Sequence, residues 1–490
     1  VSSITLRPYQ LTAIAELRTA LAAPASSAVL VLPTGAGKTT VAAELTRLMV
    51  ARGKRVWFVA HLYELVAQAR ARMEAFGLSV GEIAADAHYW PGRPVQCAMV
   101  QTLSRRLASI PAHELPDFIF FDEGHHTAAG TYQRVLDACP DARRIGLTAT
   151  PFRLDGKGLG QWYAGLVAPI SASQLVELGH LVPAKYFATE ADLEGLSTQA
   201  GEYKVAETYA KFNKSKLYAG VVNNYQNYAD GRKAIVFCVN VEHSRATVAA
   251  FNERGIRAIH LDGETPKATR ARILEEFAQG RWQVLSNVAL FTEGFDLPDI
   301  GCVIINRPTK SKALYLQMVG RGLRPSGGKT HCVVIDHGSN VKAHGFFEDE
   351  IEYSLEDRQK KKGLTIGTVP VKSCPSCGEM QHAGRRACQG CGYAWPDERG
   401  KGEEAVFVEV TRMGGLSFLP PTAKKRGGPK AVPADLEAVS MHDWTDADWR
   451  RCCALSGYNP GWRKHQGAWQ RGAGLREGLY QPQQEGAQAA

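Results

Sequence analysis

The segment Val31-Leu-Pro-Thr-Gly-Ala-Gly-Lys-Thr-Thr40 constrains this chain more than any other, because of what flanks it. A continuous apolar run over 28–32 leads into it and a helix-period stretch over 39–50 leaves it. A buried strand, a glycine-rich turn and a helix in that order make the building unit of an open parallel α/β sheet. Gly35 and Gly37 let backbone N–H groups wrap a phosphate, and the helix N-terminus adds its dipole. In such a loop Lys38 reaches the β- and γ-phosphates of a nucleotide and the Thr39 hydroxyl ligates Mg²⁺. Thr34, Ala36 and Thr40 belong to the same cradle. The strict pattern carries one more glycine, where this chain has Leu32.

The rest of the chain repeats that architecture. Apolar runs at 56–60, 97–100, 118–121 and 145–147 predict further buried strands, with a helix at 62–76. A second set of strands is expected at 234–239, 258–261, 283–286, 302–305 and 332–335, with helices near 242–253, 267–277 and 312–319. The expected fold class is α/β, with two tandem parallel-sheet domains followed by a small Cys-rich module and a short Trp-rich segment. The expected boundaries are 1–165 and 216–345 for the domains, joined by 166–215, and then 370–397 for the Cys-rich module. A Pro/Gly/basic linker at 419–434, a Trp-rich basic module at 440–476 and a frayed Gln/Ala end at 481–490 complete the order.

Composition sets the outer bounds. With 490 residues, 44% hydrophobic and 22% charged, the chain reads as globular and as about three domains. No apolar run approaches the ~18 residues of a membrane helix. The absence of a basic, then apolar, leader favours a cytoplasmic protein. The excess of 58 Lys+Arg over 49 Asp+Glu suits an anionic partner. From Glu356 onward the chain carries 20 basic against 15 acidic residues and five of its nine Trp.

Phe118-Ile-Phe-Phe-Asp-Glu-Gly-His125 supplies the second half of a nucleotide site. An apolar strand delivers Asp122 and Glu123 at its carboxyl end, where open α/β sheets bind ligands. Asp122 suits the Mg²⁺ shell and Glu123 suits activation of the attacking water, two jobs that one carboxylate cannot do together. His126 reads as a surface neighbour.

With both halves present, the order of motifs over about residues 5–336 resembles a superfamily 2 helicase of the DExH type. The likeness is to the RadD-type and phage members near the type III restriction Res-subunit group. Leu6-Arg-Pro-Tyr-Gln10 resembles the adenine-reading motif, which implies nucleotide contacts from Arg7 and Gln10. Ala60-His-Leu-Tyr-Glu-Leu65 and Val100-Gln-Thr-Leu103 fall where the family grips a nucleic-acid backbone, implying His61, Gln101 and Thr102. Leu147-Thr-Ala-Thr-Pro151 resembles the segment coupling hydrolysis to strand movement, implying roles for Thr148 and Thr150, with His125 and Gln317. Ser286 and Thr292-Glu-Gly-Phe-Asp296 resemble the family's fifth motif, with Ser286 near a nucleic-acid phosphate and Gly294 and Asp296 near the nucleotide. Gln317-Met-Val-Gly-Arg-Gly-Leu-Arg324 resembles the sixth. Arg321 and Arg324 are three apart, so on a helix they share a face. They would meet the γ-phosphate as an arginine finger in cis, worth ~10³-fold or more.

The resemblance implies an ATP-dependent DNA helicase or translocase, with repair or recombination as its setting. An RNA-directed motor, an ATP-gated annealing protein and the motor subunit of a restriction or defence complex are the competing readings. DNA, single-stranded or forked, is the favoured partner.

Cys374-Pro-Ser-Cys377-Gly378 and Cys388-Gln-Gly-Cys391-Gly392 are two metal knuckles. Each turn points two thiolates at one ion, and four sulfurs suit tetrahedral Zn²⁺ best, with iron as the alternative. The remaining cysteines are scattered, which reads as a reducing compartment. The ribbon could dock a protein partner, and Arg385 and Arg386 beside it read as solvated. Trp444 to Trp469 interleave with Arg450, Arg451, Arg463 and Lys464. That suits a tiny helical core built on Trp, or base stacking on a single strand.

Overall fold

The computed structural model describes residues 4–23, 26–85, 91–151, 158–199, 201–288, 290–291, 297, 299–356 and 370–396. The chain divides into two units, 1–400 and 401–490. The linker at 419–434, the Trp-rich module and the Gln/Ala end, like Gly294 and Asp296, lie outside the described residues.

The first sheet has seven strands: β1 (Ser27–Val31), β2 (Val56–Ala60), β3 (Val80–Ile83), β4 (Val95–Met99), β5 (Phe118–Asp122), β6 (Arg143–Thr148) and β7 (Gly165–Val167). Their order is β3-β4-β2-β5-β6-β1-β7, and every pairing is parallel. Strands β2 and β5 are buried at all five positions, which is why they read as unbroken apolar runs. Helices α1 (Pro8–Ala20), α2 (Lys38–Val50), α3 (Tyr63–Ala75), α4 (Val100–Arg106) and α5 (Gly130–Ala138) cover the sheet. Helix α2 buries Val41, Ala42, Leu45 and Met49 at helical spacing.

Between the sheets lie α6 (Ala172–Glu177), the edge strand β8 (Ala184–Ala188), the hairpin β9 (Thr198–Gln199) and β10 (Glu202–Tyr203), and α7 (Val205–Phe212). Ser171 caps α6 reciprocally with Gln174. The second sheet follows α8 (Ser215–Ala229). It comprises β11 (Ala234–Cys238), β12 (Ala258–Leu261), β13 (Val284–Asn287), β14 (Cys302–Asn306) and β15 (Cys332–Asp336), with β8 joining at its edge. The order is β12-β13-β11-β14-β15-β8, again wholly parallel. Its crossover helices are α9 (Val241–Glu253), α10 (Lys267–Ala278) and α11 (Lys312–Gly320), with the short α12 (Asn340–His344) after β15. Asn240 and Ser311 cap α9 and α11. A final antiparallel pair, β16 (Val371–Ser373) and β17 (Met380–His382), belongs to the Cys-rich module.

Candidate active site at the phosphate loop

Parallel register gathers the site. Val31 of β1 pairs with Thr148 of β6, and Leu147 of β6 pairs with Asp122 of β5. The loop, the two carboxylates and the Thr148 segment therefore leave three adjacent strands at the same sheet edge. Gly35 and Gly37 have φ of +88° and +85°, a left-handed backbone that aims loop amides inward and that side chains resist. The loop is held from below by Tyr9, whose hydroxyl donates to Ala36 O at 2.8 Å, and by Gln10, whose Nε2 donates there at 3.2 Å. Gln10 Oε1 also accepts the Arg7 N–H at 3.0 Å, and Arg7 Nη1 donates to the Tyr9 hydroxyl at 3.2 Å. A methyl on Gly37 would stand 2.6 Å from Gln10 Nε2. Nothing in the sequence signals Tyr9 beyond its place beside Gln10.

Lys38 opens α2, and its Nζ donates to Leu32 O at 3.3 Å. Thr39 and Thr40 follow on the first turn of α2, half-buried. Burial lowers the proton affinity of the Lys38 ammonium; Glu123 and Asp122 raise it, and Arg321 and Arg324 lower it further. The net shift is downward. An ammonium short of solvent, between two carboxylates and two guanidiniums, is a group that an incoming polyphosphate stabilises.

Asp122 ends β5, buried, and its Oδ1 accepts the Glu123 N–H at 3.1 Å. Glu123 is left-handed at φ +49°, one of two such non-glycine residues described. That conformation costs about 1–3 kcal/mol and lifts the carboxylate off the strand. His125 Nδ1 lies 3.3 Å from both Glu123 Oε2 and Thr148 Oγ1, so one ring nitrogen faces both. Burial pushes the Glu123 carboxyl up. The bond from His125, with the charges of His125 and Lys38, outweighs burial and holds it well below the usual carboxylate range. Thr148 donates to Thr150 O at 2.8 Å and receives the Thr150 N–H at 3.1 Å, which fixes the turn after β6.

A row of imidazoles runs from this point toward the expected nucleic-acid motifs. The ring of His126 is 4.3 Å from His125 and 4.8 Å from His61. Gln101 Nε2 donates to His61 O at 3.2 Å, and Thr102 follows on α4. His61, and through it Gln101, is thus linked to Glu123 by way of His126 and His125.

The second sheet reaches the loop through α11. A methyl on Gly320 would lie 2.6 Å from Thr34 Cβ and 3.3 Å from Phe347, so motif residues and loop pack without space. A methyl on Gly35 would lie 3.0 Å from Leu181 and 3.5 Å from Arg324 Cγ. Arg321, whose charge reaches Lys38, and Gln317 are both buried, and among the described residues Gln317 Nε2 has no hydrogen-bond partner. Phe347 and Leu181 line this contact without any motif to signal them. Ser286 is placed differently. It is fully buried in β13, its hydroxyl 2.6 Å from Ser244 Oγ, which meets His260 Nδ1 at 2.7 Å, whose Nε2 meets Asp262 at 3.0 Å.

The four thiols of the Cys-rich module converge. Their sulfurs all lie within 4.8 Å of one another, with Cys374–Cys391 and Cys377–Cys388 each at 3.7 Å.

Two parallel sheets sharing one phosphate loop, with arginines delivered from the second, define an ATPase of the RecA-like motor class. Residues 3–153 match the family described as the type III restriction enzyme res subunit, and residues 215–326 match the helicase conserved C-terminal domain. The chain belongs to the superfamily 2 DExH-type helicases, in the type III Res-like group. A 51.5 kDa protein of a Lactococcus phage (isolate 7-9) is 33% identical over 364 residues, 74% of this chain and 76% of that protein. A Saccharomyces cerevisiae protein provisionally named ATP-dependent helicase IRC3 is 30% identical over 291 residues, 55% of this chain and 42% of the yeast protein. The DNA 3'-5' translocase XPB2 of Sulfurisphaera tokodaii is 24% identical over 353 residues, 60% of this chain and 74% of that protein. Among solved structures, a fragment of a provisionally assigned HsdR subunit of a type I restriction enzyme from Vibrio vulnificus YJ016 has a similar fold. Its TM-score is 0.55 at 24% identity, covering 70% of this chain and 65% of that one. Among the described residues no helix is long and apolar enough to cross a membrane.

Proposed function

We propose that this chain is a DNA-directed motor that hydrolyses ATP between its two parallel sheets and uses closure of that cleft to move along DNA or remodel it. The observation that carries the reading is the packing of Gly320 and Arg324 against Thr34 and Gly35. It makes the second sheet part of the phosphate site, so a change at the γ-phosphate changes the relation of the sheets.

In this reading the amides of 34–40 and Lys38 hold the phosphates, while Arg7 and Gln10, tied to Ala36, take the adenine edge. Thr39 and Asp122 hold Mg²⁺, which neutralises phosphate charge. Glu123 is ionised at neutral pH and accepts the proton of the attacking water. His125 fixes its orientation, and Arg321 and Arg324 neutralise charge that builds on the γ-phosphate. His61, Gln101 and Thr102 grip the strand, and the His126 contact and the Thr148–Thr150 turn link that grip to Glu123. Ser286 acts through its buried hydroxyl network. Gly294 and Asp296 are assigned to the nucleotide by motif alone.

The DNA preference rests on the res-subunit family and on a relative named a DNA translocase. A repair or recombination setting rests on the RadD-type resemblance. Zn²⁺ is assigned to Cys374, Cys377, Cys388 and Cys391. Zinc–sulfur bonds of ~2.3 Å in a tetrahedron put sulfurs about 3.8 Å apart, close to the 3.7 Å of two of these pairs.

The deciding experiment is steady-state ATPase without nucleic acid and with single-stranded DNA, forked DNA or matched RNA at one salt concentration. Stimulation by DNA, greatest with forks, is expected. Stimulation by RNA alone overturns the DNA reading while leaving the ATP site intact, and stimulation without strand displacement favours a remodelling role.

A further inference from the structure

Far from the phosphate loop, the first domain carries a cavity of about 570 Å³ that the motor chemistry does not use. It is built from the C-terminal halves of α1 and α2 and the entry points of β5 and β6. The phosphate loop opens α2, so the cavity lies at the other end of the helix that begins with Lys38. The floor is apolar, with Leu45, Met49 and Phe118. Its rim carries Arg18, Arg52 and Arg143, and among the described residues no carboxylate lines it.

The three guanidiniums differ in how they are held. Arg143 is fixed: its Nε donates to Ala23 O at 3.1 Å and its guanidinium lies 5.3 Å from the Phe118 ring centroid. Asp117 feels the charge of Arg143, but that carboxylate already accepts from Lys54 Nζ at 2.9 Å and Arg55 N–H at 2.8 Å. Arg18 and Arg52 have no carboxylate partner among the described residues. Both sit near helix C-termini, where a cation offsets the macrodipole by about 0.3–1 kcal/mol. That accounts for one cation per helix on any face. It does not account for three converging on one concave apolar floor of ligand size.

We propose that this cavity docks an acidic peptide segment of a partner protein, its carboxylates on Arg18, Arg52 and Arg143 and an apolar side chain on the Leu45–Met49–Phe118 floor. Charge complementarity selects the partner: bidentate guanidinium–carboxylate pairs give orientation, and the floor gives the anchor. Seated on α2, such a partner is joined to the motor without competing for ATP.

The test uses the full chain and a fluorescein-labelled peptide Glu-Glu-Asp-Leu-Leu, read by anisotropy at fixed salt. Control peptides replace both Leu by Ser, or the three acids by Lys. Saturable binding is expected for the first peptide alone, with a loss of roughly tenfold or more in the double variant Arg18→Glu/Arg52→Glu. Both substitutions are at exposed sites, so basal ATPase should be unchanged, which certifies folding. Equal binding of the Ser control, or unchanged binding in the double variant, overturns the proposal. If the variant instead keeps the peptide and loses affinity for a dT oligonucleotide, the arginines serve nucleic acid and the peptide reading fails.

Discussion

Glu123 combines three features that ordinary folding does not favour together: a left-handed backbone, burial and an ionised carboxylate. Each is costly alone, and the His125 contact and Lys38 charge offset part of the cost. Glu123→Gln keeps shape and loses basicity, so nucleotide binding should persist while turnover falls by about 10²-fold or more. Fluorescent-nucleotide titration beside single-turnover hydrolysis measures both, and unaltered hydrolysis rejects the water-activating role. His243 is buried among Tyr209, Phe212 and Tyr218, with its proton affinity lowered by burial to about 4. The unfolded chain protonates this ring near pH 6.5. Between those values the unfolded state holds the extra proton, so this contribution to stability falls as pH drops through the window. The loss is on the order of 3 kcal/mol. His337, also lowered to about 4 by burial with His243 beside it, adds in the same sense. Asp336, raised by burial to about 6, acts oppositely, because its folded form gains a proton there. The check is therefore a difference: melting temperature of His243→Gln should depend on pH less steeply than that of the parent between pH 6.5 and 4. Parallel slopes would show that His243 is not a stability-linked group.

Elements built from unbroken apolar runs were legible in the sequence because burial on both faces leaves no room for polar residues. Strands β2, β5, β11, β14 and β15 and helices α2, α3, α9, α10 and α11 lie within a residue or two of the positions read from periodicity. The loop and Asp122–Glu123 were legible for a different reason: phosphate chemistry restricts residue choice at fixed spacing. What escaped was fixed by partners remote in sequence. Strand β3 is Val-Gly-Glu-Ile, where Glu82 is buried because Arg70 Nη1 pairs with it at 2.9 Å. Strand β8 falls in a stretch read as connecting, and it is a strand because β15 offers an edge 148 residues away, Ala184 opposite Cys332. The ring contacts of His126 and the burial of Ser286 likewise depend on packing that no local pattern records. The contact between α11 and the loop has no slack. Gly320→Ala puts a methyl 2.6 Å from Thr34 Cβ, and neither Thr34 nor the loop can retreat without moving the phosphate cradle. A misplacement near 1 Å can cost about 10²-fold in rate. Stimulated ATPase should fall on that scale while the melting temperature moves by only a few degrees. Wild-type turnover would mean that α11 and the loop separate in the working state.

At the scale of the 1–400 unit, the Cys-rich module is packed against the second sheet. Gly378, left-handed at φ +78°, lets the first knuckle sit on Tyr228 and Phe187, whose rings stack at 4.0 Å. Met380 is buried in the main core, and His382 Nε2 meets Asp349 at 3.1 Å with Phe346 edge-on at 4.6 Å. The module thus covers the edge strand β8 and the segment that carries Phe347 to Gly320. An exposed strand edge invites pairing with other chains, and covering it is a recurrent solution. So small a module, with two three-residue strands among the described residues, has little core of its own, and a zinc ion on its four thiols, as proposed above, would supply much of its folding free energy. Removing the metal should therefore act on the sheet that the module covers rather than on the phosphate loop. Cys377→Ser, or chelation of the parent, should lower bound zinc measured by mass spectrometry. The unfolding temperature should fall by several degrees, at about 2–4 °C per kcal/mol for units of 150–250 residues. Basal ATPase at 20 °C should stay within about twofold, since among the described residues no module residue is identified as touching the loop. Full zinc occupancy in Cys377→Ser would remove that residue from the ligand set. Collapse of ATPase at a temperature where the melt shows an intact fold would mean that the module acts on the cleft, through Phe346 and Phe347, and is more than a cover for β8.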